Sequence, residues 1–363
     1  MISVIIDNHN YGKYISEAIE SVLDQTYQNF ELIIIDGAST DDSREVITKY
    51  ATKYSEKITA VFKPTSGQAA AFNLGFQLSH GDVIALLDSD DYFLPNKLEI
   101  INDAHQKYSF IGHGRHSTDG GRNFTPIDNE ENRPRLLREY GFIYTYNLIS
   151  SCISANRSLM EKILPMPENG YVTFADCYIK VLAQYFDNIH YIDEPLTMYR
   201  FHQENRVNSF QTPESMENFV KELYRRVFLD INTSLQEREM PCIPKMTPEG
   251  ILQGLILANP GLSLNQHDVC ALYGAGSYSP RVKRAAEYCG VRFCFVIDSD
   301  PGKWGSEWYG LPVISPIEAQ NRRSEYDKII IGATYYDEIE KVLDGLGFEK
   351  NTDYFRMPIV PND

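Results

Sequence analysis

Positive charge is scarce in this chain of 363 residues: 34 lysines and arginines stand against 50 aspartates and glutamates, a formal net charge of −16. A nucleic-acid binder needs a basic face to neutralise phosphates, and this balance argues against one. It also argues against electrostatic docking on anionic membranes. Long apolar runs are missing too, since no window of about 20 residues reads as a bilayer-spanning helix. The opening run Met1 to Ile6 has no basic leader and is too short for an export segment. Cysteine gives no framework either. Cys152, Cys177, Cys242, Cys270, Cys289 and Cys294 form no CxxC pair and no metal-finger spacing, and read as reduced thiols in core positions. What remains is ordinary globular composition, 43% hydrophobic, with 24 tyrosines whose rings carry a polar tip suited to clefts. At about 150 residues per domain the length implies about two domains, in a cytoplasmic protein.

The first hundred residues alternate strand and helix signals. Ser3–Ile6, Phe30–Ile35, Ile58–Phe62 and Val83–Leu87 are short apolar runs of the kind buried in parallel sheets. Between them, Tyr11–Leu23, a stretch from Ser39 to about Tyr54, and Ala69–Leu78 have helical spacing. This order predicts a doubly wound α/β sheet with right-handed crossovers. Ligands of such sheets bind beyond the carboxyl ends of the strands. Here those ends carry Asp7-Asn8, Asp36-Gly37, Lys63 and Asp88-Ser89-Asp90. Three of the four gather negative charge on one rim, which makes sense if a cation sits there.

Further along, 113–147 reads as a polar, irregular insertion over the site, with Gly120-Gly121 and a charge cluster from Asp128 to Arg138. Ile149–Asn156 reads as a strand, Phe174–Phe186 as an amphipathic helix, and Tyr191–Tyr199 as an edge strand broken by Pro195. A helical spacer is expected over 211–266, interrupted near Pro241 to Pro244. A second, smaller Rossmann-like α/β unit follows over 267–363.

In Asp88-Ser89-Asp90, an extended turn lets the two carboxylates face one way while Ser89 faces the other. Two hard oxygen ligands suit Mg²⁺ or Mn²⁺ with diphosphate oxygens completing the shell. The alternative is an acidic turn capping the next helix. The triplet recurs at Asp298-Ser299-Asp300, so by itself it decides little.

Five blocks in register carry more weight. They are Ser3-Val4-Ile5-Ile6 with Asn10-Tyr11, Ala18 to Tyr27, Phe30 to Asp41, Gly67 to Gly75, and Gly81-Asp82 through Asp91. This pattern resembles the N-terminal half of the inverting family 2 glycosyltransferases, which have the GT-A fold, over residues 1–210. The resemblance implies a nucleotide-sugar donor (UDP-, GDP- or dTDP-linked), a saccharide or lipid-linked saccharide acceptor, and Mn²⁺ or Mg²⁺. It puts Asp7, Asn8 and Asp36 around base and ribose, Gln68 and Asn73 near the ribose or donor sugar, and Asp88 with Ser89 at the nucleotide sugar. Asp90, Asp88 and His202 would form the metal shell. The acidic residue that supplies the family's base corresponds to Asp176. Each has a plainer reading: Gln68 and Asn73 as helix or turn hydrogen-bonders, Asp176 as a helix-start carboxylate, His202 as a surface histidine. Arg200 pairs with phosphate or with Glu194. Two departures, Asp7-Asn8-His9-Asn10 and Gly37 in place of a second Asp, lie near the expected base pocket. Acceptor choice is expected from 113–147 and 205–260.

Gly274-Ala275-Gly276 follows a strand and opens a helix, with Asp298 ending the next strand, where a dinucleotide fold would hold a ribose. Ser279 stands where the third glycine belongs, and a structural or assembly role is the favoured expectation. The leading reading is therefore a metal-dependent glycosyltransferase of bacterial surface polysaccharide or glycoconjugate synthesis, with peripheral contact at the inner membrane face and a homo-oligomer left open. The alternatives are a dinucleotide-dependent sugar oxidoreductase or epimerase built on the Gly-x-Gly turn, and a non-catalytic binding module.

Overall fold

The computed structural model describes every residue except 65–66, 120–132, 142–147, 169–173, 204, 206–212, 260, 277–278, 334–335 and 358–363. The chain divides into two compact units, Met1–Glu131 with Tyr146–Gln211 and Leu229–Ile231, and Asn132–Thr145 with Thr212–Phe228 and Asn232–Asp363. The stretch 211–266, expected as a spacer, falls almost wholly within the second unit. No helix among the described residues is long and apolar enough to cross a membrane.

Apolar runs build the first unit. In order come β1 (Ile2–Asn8), α1 (Gly12–Leu23), β2 (Phe30–Gly37), α2 (Ser43–Lys53), β3 (Ile58–Lys63), α3 (Gln68–Leu78) and β4 (Val83–Asp88). β1 is central, parallel to β2 and β4, and β3 is parallel to β2. Both faces of β1 are covered. Val4 and Ile6 join the cluster of Ile15, Ala18, Ile19 and Val22 from α1, while a Cβ on Gly75 of α3 would drive into Ile5. Full burial of side chains this size contributes about 1.5–3 kcal/mol each, so the strand order is fixed by apolar burial. The strand ends are then held by polar groups. Asp41 accepts from Gly12 N at 2.8 Å and Ser43 N at 3.0 Å, tying the starts of α1 and α2 together.

The remaining elements are β5 (Tyr92–Phe93), α4 (Lys97–Ala104), β6 (Phe110–Ser117), α5 (Arg133–Tyr140), β7 (Ile153–Asn156), α6 (Arg157–Ile163), α7 (Ala175–Phe186) and β8 (Ile189–Tyr199). All but α5 belong to the first unit. Its sheet runs β3-β2-β1-β4-β7-β6-β8-β5. Because β7 is antiparallel to both β4 and β6, the sheet is mixed rather than parallel throughout. The expected insertion at 113–147 is corrected in two places. Residues 113–117 complete β6, whose polar Gly-His-Gly-Arg-His-Ser run is extended by pairing with β8, with a shift in register between His113 and Arg115. Arg133–Tyr140 is helical, and 120–132 with 142–147, including Gly120-Gly121, lie outside the described residues.

The second unit carries α8 (Pro213–Glu237), α9 (Pro248–Ala258), β9 (Val269–Tyr273), α10 (Ser279–Tyr288), β10 (Arg292–Ile297), β11 (Glu307–Trp308), β12 (Leu311–Ile314), α11 (Pro316–Asn321), β13 (Lys328–Ile331), α12 (Tyr336–Gly345) and β14 (Tyr354–Arg356), apart from three residues of α8. The break at Pro241 to Pro244 is pinned by Asn232, which accepts from Ile243 N at 2.7 Å and donates to Ile243 O at 3.0 Å. The sheet order is β11-β12-β10-β9-β13-β14, parallel except for the β11–β12 hairpin. Cys177, Cys270 and Cys294 lie in α7, β9 and β10, all six cysteines are free thiols, and Cys152, Cys177, Cys270 and Cys289 are buried.

Candidate active site

The carboxyl ends of β1 to β4 open into a cleft of about 310 Å³ in the first unit. Of the expected site residues, Asp7, Asn8, Gln68, Asp88, Ser89, Asp90 and Asp176 line it. His9, Tyr11, Lys63, Ser150, Phe174, Tyr199 and Asn205 line it as well; of these, local sequence signals point only to His9, Tyr11 and Lys63, which stand at or just beyond the ends of β1 and β3. Strand register explains the convergence: Asp7 lies beside Asp88 across β1–β4, and Asn8 beside Asp36 across β1–β2. The loops after β1 and β2 are cross-linked, since Asn10 N donates to Ser39 Oγ at 2.9 Å and Asn10 Oδ1 accepts from Thr40 N at 2.7 Å. Asn10 and Ala38 take positive φ there, 58° and 57°, which asparagine tolerates better than most residues. His9 donates through Nδ1 to Gly37 O at 2.6 Å.

The rim is electrostatically expensive. Burial first, then the Asp90 charge, push both Asp7 and Asp91 up to about 7. Asp88 is held well above the ordinary carboxylate range by burial, then by Asp7, Asp91, Asp90 and Asp176. Asp90 is also raised by burial, with His202 pulling the other way. Asp7 Oδ1 is buried without a hydrogen-bond partner. Beneath the rim, Ser151 Oγ accepts from Asp88 N at 3.1 Å and donates to Asp91 Oδ2 at 2.6 Å. Lys97, fully buried, donates to Ser151 O at 2.7 Å and Thr197 Oγ1 at 3.2 Å. Burial lowers its ammonium to about 7.

The segment after β8 closes one side. His202 Nε2 stands 3.0 Å from Asp90 Oδ2, and Asn205 Nδ2 donates to the same oxygen at 3.4 Å. Arg200 pairs with Glu17 rather than Glu194, while its N–H donates to Asp91 Oδ1 at 2.9 Å and its Nε to Asp90 O at 3.0 Å. Of the residues expected for a metal shell, Asp90 and His202 meet at 3.0 Å with Asp88 on the same cleft, and no group of three His, Cys, Asp or Glu among the described residues is by itself placed to hold a metal ion. The oxygen and imidazole donors, with the orphaned Asp7 Oδ1, fit an open shell: Mg²⁺ and Mn²⁺ are usually held by one or two protein groups plus substrate phosphates.

Asp176 is the second residue of α7, two residues after Phe174, whose φ of 64° is left-handed. Its Oδ2 accepts from Lys180 Nζ at 2.6 Å, one helical turn on. Gln68 joins this helix to the rim: its Oε1 accepts from Ala175 N at 2.8 Å, and its Nε2 donates to Asp88 Oδ1 at 3.0 Å and Ser150 Oγ at 3.2 Å. The Asp176-x-x-x-Lys180 spacing is the sequence signal of this helical pair.

Three expected residues stand back from the cleft lining. Asp36 is buried, and its Oδ1 accepts from Asn8 Nδ2 at 2.7 Å and Ser39 Oγ at 2.6 Å, so it orients Asn8. His202 acts through Asp90. Asn73 clamps a backbone segment, donating to Met166 O at 2.8 Å and accepting from Met166 N at 2.9 Å. In the second unit Asp298 accepts from Ala275 N at 2.8 Å and Lys303 Nζ at 2.9 Å, so the carboxylate expected to hold a ribose is occupied by its own Gly-x-Gly turn. Ser279 Oγ donates to Gly332 O at 2.8 Å and bridges to Gly274 O.

An acidic rim over a parallel sheet, faced by a helix-borne carboxylate, is the kind of site used by enzymes that handle nucleoside diphosphates. The family model described as glycosyl transferase family 2 matches residues 3–165, and one described as C2185-like, N-terminal, matches 266–352. An uncharacterized glycosyltransferase of Haemophilus influenzae is 40% identical over 191 residues, 50% of this chain and 73% of the relative. TuaG of Bacillus subtilis, provisionally named a teichuronic acid biosynthesis glycosyltransferase, is 34% identical over 142 residues, 38% of this chain and 54% of its own length. The crystal structure of S. aureus TarS 1-349 with UDP-GlcNAc overlays with a TM-score of 0.47 and 17% identity, covering 71% of each chain. The chain belongs to glycosyl transferase family 2, and its first unit has the GT-A type of mixed α/β fold.

Proposed function

We propose that the first unit transfers a sugar from a nucleoside diphosphate donor to an acceptor hydroxyl, with inversion at the anomeric carbon. The observation that carries this reading is the single cleft in which Asp7, Asp88 and Asp90 face the carboxylate of Asp176. Asp176 accepts the hydroxyl proton, the oxygen attacks the anomeric carbon, and the bond to the diphosphate breaks, its electron pair leaving with the phosphate oxygen. Asp7 and Asn8, oriented by Asp36, face the nucleoside; Gln68, Asp88 and Ser89 face the ribose, diphosphate or donor sugar. Asp90 with His202 would hold Mn²⁺ or Mg²⁺, with Asp88 beside them. When bound, such an ion offsets the charge that gathers on the departing diphosphate as a Lewis acid. A saccharide or lipid-linked saccharide is the proposed acceptor, and surface polysaccharide synthesis the proposed setting, supported by the name of the Bacillus relative.

The test is release of free nucleoside diphosphate from UDP-N-acetylglucosamine, GDP-mannose and dTDP-glucose, with the anomeric configuration of the product read by NMR. One donor is expected to turn over with inversion, and Asp176→Asn to stop it. Retention of configuration, or full turnover by the variant, contradicts the reading.

A further inference from the structure

Asp176 shares the cleft with Asp7, Asp88 and Asp90 and differs from them in its contact with an ammonium group. Lys180 Nζ lies 2.6 Å from its Oδ2 and 2.6 Å from Leu148 O, with only 11% of either side chain exposed. A solvent-facing pair at this spacing is weakened by water, but this one is withdrawn from it. We propose that Lys180 is a positioning residue for the proton-accepting step: its ammonium, held between Leu148 O and Asp176 Oδ2, sets a compensating charge against that carboxylate and turns it toward the cleft. This rests on the reading of Asp176 as the base.

The surroundings agree in sign. Burial, the largest influence, would lower the Lys180 ammonium, yet the charge and hydrogen bond of Asp176 together with Cys177 outweigh it and the group is raised above its ordinary value. Asp88 from β4, Arg115 from β6 and Cys177 from α7 itself also act electrostatically on the pair. Gln68 completes the arrangement by clamping Ala175 N, so the helix start and the carboxylate are fixed independently. Lys180 engages Oδ2, which leaves Oδ1 to meet the acceptor hydroxyl.

The test needs no identified donor. Selective ¹³C labelling of aspartate, with the Asp176 signal assigned by its loss in Asp176→Asn, follows the carboxyl across pH in wild type, Lys180→Met, Lys180→Gln and Lys180→Arg. The Met and Gln variants are expected to move the Asp176 midpoint up by about one pH unit or more, and Arg to leave it near the wild-type position. An unchanged midpoint in Met or Gln overturns the proposal, and so does failure of both to fold, which would make Lys180 a structural residue. Turnover of Asp176→Asn judges the base assignment separately.

Discussion

The protein carries the same triplet twice, each time where a parallel strand ends, and the two copies are wired in opposite ways. At Asp298-Ser299-Asp300 the first carboxylate is satisfied from all sides: Ala275 N, Asp300 N and Lys303 Nζ all donate to it. Burial on its own would raise Asp298, but these partners outweigh it and hold the group below the ordinary range. At Asp88-Ser89-Asp90 the acids face one another, and burial leaves them raised. The lesson is that the triplet does not make a site. One copy is a self-contained turn; the other is left under repulsion that a cation and phosphates would relieve.

Four substitutions or conditions would break or sharpen that contrast. The largest effect is expected from Asp176→Asn, where losing the base lowers turnover by about 10²–10⁴-fold while nucleotide binding persists. A variant within tenfold of wild type would remove Asp176 from the chemistry. Next, Asp90→Ala is expected to weaken dication-dependent nucleotide binding by at least about tenfold, equivalent to about 1.4 kcal/mol, by equilibrium titration. The third is a pH effect on the first unit without ligand. Asp7 and Asp91 are raised in the folded state to about 7 from 3.8, so the folded form binds more protons between those values. Their contribution to stability is therefore fully present below about 4 and is lost as pH rises through about 7. Melting should be higher at pH 5 than at pH 8, and Asp7→Asn should flatten the difference. The smallest functional effect belongs to Asp298→Asn. It should cost the second unit about 1–3 kcal/mol of stability through lost hydrogen bonds, yet change turnover less than twofold. A large loss of turnover would mean that the two triplets share a task.

Most of the first sheet was legible because its strands are apolar on both faces, and nothing but a buried parallel strand fits runs such as Ile33-Ile34-Ile35. β6 was not, because its last residues are polar and its extended form depends on β8, far along the chain. The same division runs through the site. Asp7, Asp88 and Asp90 were legible from strand-end position and from the family pattern. Asn73 was not, since its partner Met166 lies 93 residues away. Neither was the buttress of Ser151 and Lys97, whose contacts span 54 residues. Local spacing reveals which residues share a face; it does not reveal which polar atoms a distant backbone will claim.

The central claim is that the N-terminal rim tolerates its acids because a dication and a nucleoside diphosphate settle among them. Isothermal titration of UDP, GDP and dTDP, each with and without Mn²⁺, tests it most directly. The expected result is binding of at least one nucleotide that requires the ion and disappears in Asp90→Ala. No binding of any pair, or equal binding by the variant, would contradict it.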